Sequence, residues 1–292
     1  MDGLFTGPTR DAVEAFQRSR SIDIDGIVGP QTWSQLVEAG RRLGGRLLYL
    51  HSPPLRGDDV AELQHLLSTL GFSVGRIDGI LGDRTAHAVT DFQRNAGLVA
   101  DAICGPDTLT ALQRFVRHLG GAEDMAALEE RERLIAGGAH LTGRRVAIGE
   151  RGGLDALTAA ARRALTDAGA EVLTVHHPDW SAQAQQVNGF DADVYVAFEL
   201  RPGQPGIAFF QGEHFASPGG KILAEQLCNG LRDRFPALTS RGMSLPMLRE
   251  TRMPAVLCRL SDARDVVRHS SDIGRTLARA IENALNDLRG GE

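Results

Sequence analysis

One phrase recurs four times in the first 108 residues: Asp-Gly, two residues, usually Gly, two more, then Thr. Its fullest form is Asp78-Gly79-Ile80-Leu81-Gly82-Asp83-Arg84-Thr85. It returns at Asp25–Thr32, at Asp101–Thr108 with Ala in place of the first Gly, and in worn form at Asp2–Thr9. Asp accepts hydrogen bonds from backbone N–H groups two or three residues on. Gly supplies a positive φ, and Pro30 and Pro106 suit a first helical position. The phrase therefore predicts a turn that launches a helix, pinned to a core by the aliphatic between the glycines. An offset of 76 lays residues 2–36 over 78–112 without a gap, matching Phe16 to Phe92, Gln17 to Gln93, Asp25 to Asp101 and Leu36 to Leu112. Identities at shared spacing indicate an internal repeat of a helical unit.

The second unit carries a preceding helix whose Leu63, Leu66, Leu67 and Leu70 form one stripe ended by Gly71. The first unit begins where that helix would end, so truncation of its N-terminus is expected. This pattern resembles the peptidoglycan-binding-domain-1 family, a small three-helix module. The complete copy spans 58–116 and the truncated one 1–45. The resemblance implies peptidoglycan fragments or precursors as partners. Its motif residues here are Phe16, Gln17, Asp25, Asp78, Phe92, Gln93 and Asp101. The Phe residues read as core at this spacing, and the Gln residues as ties for a turn, in preference to sugar contacts. Modules of about 60 residues have marginal cores.

A formal net charge of −5 argues against a nucleic-acid partner. No apolar run is long enough to span a bilayer. The three cysteines, Cys104, Cys228 and Cys258, are odd in number and widely spaced. They read as reduced buried thiols, which together with the lack of a secretory leader predicts a cytoplasmic protein.

Residues 117–142 read as a linker. Gly120-Gly121 and Gly137-Gly138 bracket a charged helix, Ala122–Ala136, expected to be solvated. From 143 to 292 strands alternate with helices. Strands are predicted at 145–149, 171–175, 193–198, 206–210 (at an edge) and 254–258. Helices are predicted at 154–168, 217–233 and 273–288. The fold class is thus multidomain: small all-α three-helix modules, then an α/β domain with a mostly parallel sheet covered on both faces.

The order of these elements, with Leu248-Arg249-Glu250-Thr251-Arg252-Met253-Pro254-Ala255-Val256-Leu257, resembles the type-3 N-acetylmuramoyl-L-alanine amidases. That family implies one zinc held by His, Glu and His, with a second Glu as general base. At the matching positions Arg151 replaces the first His, Glu199 the second and Arg259 the base, while Glu150 aligns with the ligand Glu. Guanidinium has no lone pair for a metal and takes no proton from water. The expectation is a vestigial pocket of Glu150, Arg151, Glu199 and Arg259, without zinc, in which Glu199 and Arg259 pair in place of a cation. His176-His177 point to opposite strand faces and read as ordinary partly exposed histidines. The function expected is a catalytically inactive amidase homologue that binds a muropeptide, a precursor or a cell-wall synthesis protein. The alternatives are a working amidase with atypical ligands and a scaffold whose modules bind protein.

Overall fold

A computed structural model describes residues 3–117 and 125–290. Asp2, Gly120-Gly121 and Ala122 lie outside the described residues. The chain divides into two compact units, Met1–Glu129 with Gly212–Phe215, and Glu130–Gln211 with Ala216–Glu292.

The first unit is helical. It holds α1 (Gly7–Ser19), α2 (Pro30–Ala39), α3 (Asp58–Thr69), α4 (Asp83–Asn95) and α5 (Pro106–Val116). One interaction explains why the recurring phrase has its composition. From α1, the buried Gln17 side chain donates to Asp25 Oδ1 (2.7 Å), Ile27 O (3.0 Å) and Thr32 Oγ1 (3.1 Å). Its carbonyl oxygen accepts from the backbone N–H groups of Asp25 and Gly26. Asp25 also accepts from the N–H of Ile27 at 2.9 Å. Gln93 of α4 repeats this with Asp101, Ile103 and Thr108, and Gln64 of α3 with Asp78, Ile80 and Thr85. Each Gln thus satisfies polar groups that the turn would otherwise bury unpaired. Gly26 and Gly79 hold φ of 68° and 70°; Ala102, in the same place, holds 61°. The Ile103 N–H and then the Gln93 amide hold the Asp101 carboxyl below its usual range.

The two modules differ where α3 packs. Leu81 and Leu112 are sealed, at 1% and 0% exposure, whereas their repeat equivalents Phe5 and Leu36 stand 62% and 39% exposed. Val60, Leu63 and Leu67 of α3 are buried in the second module; no counterpart of α3 lies among the described residues of the first.

Helix α6 (Met125–Ala136) is no solvated linker helix. Glu130 is buried and accepts from Ser217 Oγ (2.6 Å) and Gly219 N (3.0 Å), and Leu134 joins the core of the second unit. A partner 87 residues away removes the need for water around this carboxylate.

The second unit is a six-stranded sheet of order β2-β1-β3-β6-β4-β5. The strands are β1 (Arg145–Glu150), β2 (Glu171–His176), β3 (Val194–Leu200), β4 (Gly206–Phe210), β5 (Thr239–Met243) and β6 (Ala255–Leu260). All neighbours pair in parallel except β4 with β6. β4 is therefore interior; the edge belongs to the polar β5. Strand parity sorts side chains into two layers. Val146, Ile148, Val194, Val196, Phe198, Val256, Cys258 and Leu260 pack with α7 (Asp155–Asp167), α9 (Pro218–Leu231) and α11 (Ala263–Gly290). Against the other face pack α8 (Trp180–Phe190) and the short α10 (Pro246–Arg249). α11 starts ten residues before the predicted Ile273.

All three cysteines are buried free thiols. Burial pushes Cys104 up to about 12 and Cys228 up to about 11, and raises Cys258 as well.

Replacing Gln93 by Ala leaves the Asp101–Thr108 turn with unsatisfied buried groups. The substitution is expected to cost about 2–4 kcal/mol, read as lost hydrogen-exchange protection of α4 and α5 amides. Unchanged protection would contradict this role.

Candidate functional site

Parallel strands bring their carboxyl ends to one rim, where open α/β sheets place ligands. On that rim Glu199 of β3 stands directly beside Arg259 of β6 in register. Arg259 Nε donates to Glu199 Oε2 at 2.8 Å, and both side chains are nearly buried, 7% and 13% exposed. Arg151, just past β1, approaches the other oxygen: Nη1 lies 3.4 Å from Glu199 Oε1. Arg151 Nε donates to Pro178 O at 2.8 Å, and its guanidinium carbon sits 5.5 Å from the Trp180 ring centroid. Three of the four pocket residues expected from the sequence, Arg151, Glu199 and Arg259, thus meet in one cluster.

Glu150 does not join them. It pairs in register with Phe198, one residue before Glu199, so its side chain falls on the opposite face of the sheet. There its Oε1 lies 2.6 Å from His176 Nδ1, and Oε2 accepts from the backbone N–H groups of Gly152 (2.6 Å) and Leu154 (3.2 Å). The grouping of Glu150 with Glu199 and Arg259 is therefore corrected by strand alternation. The carboxylate is 1% exposed and His176 is 47% exposed. His176 is partly exposed, as expected, but it has a partner that sequence reading did not name: residues 150 and 176 face each other across β1 and β2. With the exposed Asp155 they form a group whose donor atoms lie within 4.8 Å of one another.

A buried brace holds the rim between the two faces. Gln183 of α8 donates to Glu150 O (3.0 Å) and His177 O (2.6 Å), and accepts from Tyr195 Oη (2.7 Å). A Cβ at Gly149 would come within 2.3 Å of both Gln183 Oε1 and Tyr195 Oη, so this strand end requires glycine. Burial raises the Tyr195 hydroxyl above its usual range, keeping it a neutral donor. Sequence reading passed over Gln183, Trp180 and Pro178; the N-cap Asp179, which accepts from Ser181 N, was the available signal for α8.

The chain is 33% identical over 290 residues to the N-acetylmuramoyl-L-alanine amidase CwlM of Mycobacterium tuberculosis, a match covering 87% of this chain and 70% of that protein. The chain belongs to the CwlM family of N-acetylmuramoyl-L-alanine amidase homologues. The family described as "Putative peptidoglycan binding domain" matches residues 1–36 and 56–112. The N-acetylmuramoyl-L-alanine amidase CwlL of Bacillus licheniformis is 32% identical over 136 residues, 40% of this chain and 38% of that protein. Among solved structures, the apo amidase Ami1 of Mycobacterium abscessus aligns with 51% of this chain and 99% of that chain, at 14% identity and a TM-score of 0.39. In this CwlM-family chain Gln17 and Gln93 tie turns and Phe92 is core, as expected, whereas Phe16 is only half-buried and not core. No helix among the described residues is long and apolar enough to cross a membrane.

Replacing Arg259 by Met strands a nearly buried carboxylate. The second unit is expected to lose roughly 3–5 kcal/mol, whereas Arg151→Gln, at an exposed pair, costs less than about 1 kcal/mol. Thermal unfolding of the two variants tests this; equal losses would contradict the assignment of Arg259 as the principal partner.

Proposed function

We propose that this protein is a non-catalytic member of its amidase family, acting in cell-wall metabolism as a binding or regulatory protein in the cytoplasm. The observation carrying the reading is the Glu199–Arg259–Arg151 cluster at the strand rim. Water activation by a zinc enzyme needs three ligands, an open position and a base. Both guanidinium groups stay protonated and offer no lone pair. Both Glu199 oxygens face guanidinium groups, and one of these, Arg259, stands where the family has its base. The residues here do not fit the family's zinc, and the ion pair supplies the positive charge in its place. The modules support a wall-derived ligand, a fragment or a precursor, or a protein that handles one.

A second reading, a working amidase with atypical ligands, is favoured by one observation: Glu150, Asp155 and His176 bring one imidazole and two carboxylates together. Against it, Glu150 already accepts from two backbone N–H groups and faces His176 directly. Incubation of the full chain with purified muropeptides and zinc is expected to release no L-alanine-linked peptide. Release that disappears in His176→Ala would establish the second reading, and release insensitive to it would equally overturn the first.

A further inference from the structure

We propose that the cleft beside Arg151 binds a small carboxylate monoanion bearing a short apolar group, with the Arg151 guanidinium as its recognising group. The inference rests on the non-catalytic reading above. The cleft measures about 290 Å³ and is lined by Arg151, Gly152, Pro178, Phe198, Glu199 and Leu200, all within the second unit.

Arg151 is positioned before any ligand arrives. Pro178 O fixes Nε, Glu199 holds Nη1, and the Trp180 ring lies 5.5 Å from the guanidinium carbon. A fork already held this way loses little freedom on binding. Among the described residues Nη2 has no protein acceptor, and the side chain is 47% exposed. One planar donor edge therefore remains for an oxyanion.

Charge selects the anion. Arg151 and Arg259 carry two positive charges and Glu199 one negative, which leaves one net positive charge in the cluster. A carboxylate neutralises it, whereas a phosphate dianion overshoots it beside Glu199. Glu150 contributes no compensating role here, because it lies on the other face against His176. Pro178 supplies apolar surface for the group attached to the carboxylate, whereas the Phe198 side chain is core on the other face of the sheet.

The test is an NMR titration of the full chain with propionate and with N-acetylmuramic acid. Neutral propionamide and N-acetylglucosamine serve as controls, and inorganic phosphate as the competing oxyanion. Both carboxylates are expected to shift the Arg151 Nε–H and Trp180 indole signals saturably, the neutral compounds not at all, and phosphate to bind at least about tenfold more weakly. Arg151→Gln is expected to lose about tenfold or more in affinity, the scale of a charge-assisted hydrogen bond, with Arg151→Lys intermediate. An unchanged thermal midpoint for Arg151→Gln separates lost recognition from lost folding. Equal binding of propionamide, tighter binding of phosphate, no saturable binding, or indifference to Arg151→Gln would each overturn the proposal. Muropeptide cleavage is followed in the same samples: cleavage contradicts the non-catalytic reading, while absent cleavage without carboxylate selectivity contradicts this inference alone.

Discussion

The pairing of Glu199 with Arg259 across β3 and β6 is the constraint on which the strand rim depends. Two charged side chains at the carboxyl ends of buried parallel strands are costly unless each meets its opposite. Register supplies that meeting, because the two residues are direct partners in the sheet. Arg151 then reaches the second carboxylate oxygen from the loop after β1. The result is a Glu199 carboxylate held between two protein cations.

A second constraint of the same kind governs the first unit. A single buried glutamine in each of α1, α3 and α4 reads the Asp, the backbone after it and the Thr of a following turn. The amide offers donors and an acceptor in one plane, which no charged or apolar residue reproduces. This is why the phrase repeats so faithfully, and why it speaks of folding more than of ligand. The Gln and Asp side chains that define the motif are engaged with backbone and with one another.

Much of this was legible in the sequence. The repeat located the turns and helices, and short apolar runs located β1, β2, β3 and β6, because buried parallel strands read as continuous hydrophobic segments. β5 was missed, since Thr-Ser-Arg-Gly-Met is polar and its pairing with β4 is a tertiary fact. That omission also misplaced β4 at the edge. α8, rich in Gln and with little hydrophobic periodicity, gave a weak signal, though its N-cap Asp179 was in view. Glu130 looked solvated because the hydroxyl and N–H that bury it come from residues 217 and 219. At the rim, residue types were readable but faces were not fully used. Strand alternation separates Glu150 from Glu199, and the β1–β2 register is what gives His176 its partner. The Glu199–Arg259 distance needed the register of two strands 60 residues apart.

The central claim is that protein cations have replaced the metal at the strand rim. It is tested most directly by calorimetric titration of chelator-treated full chain with zinc. The account predicts no stoichiometric uptake, and no change in the weak background when Glu199 is replaced by Gln. One equivalent of tightly bound zinc, lost in Glu199→Gln, would contradict it.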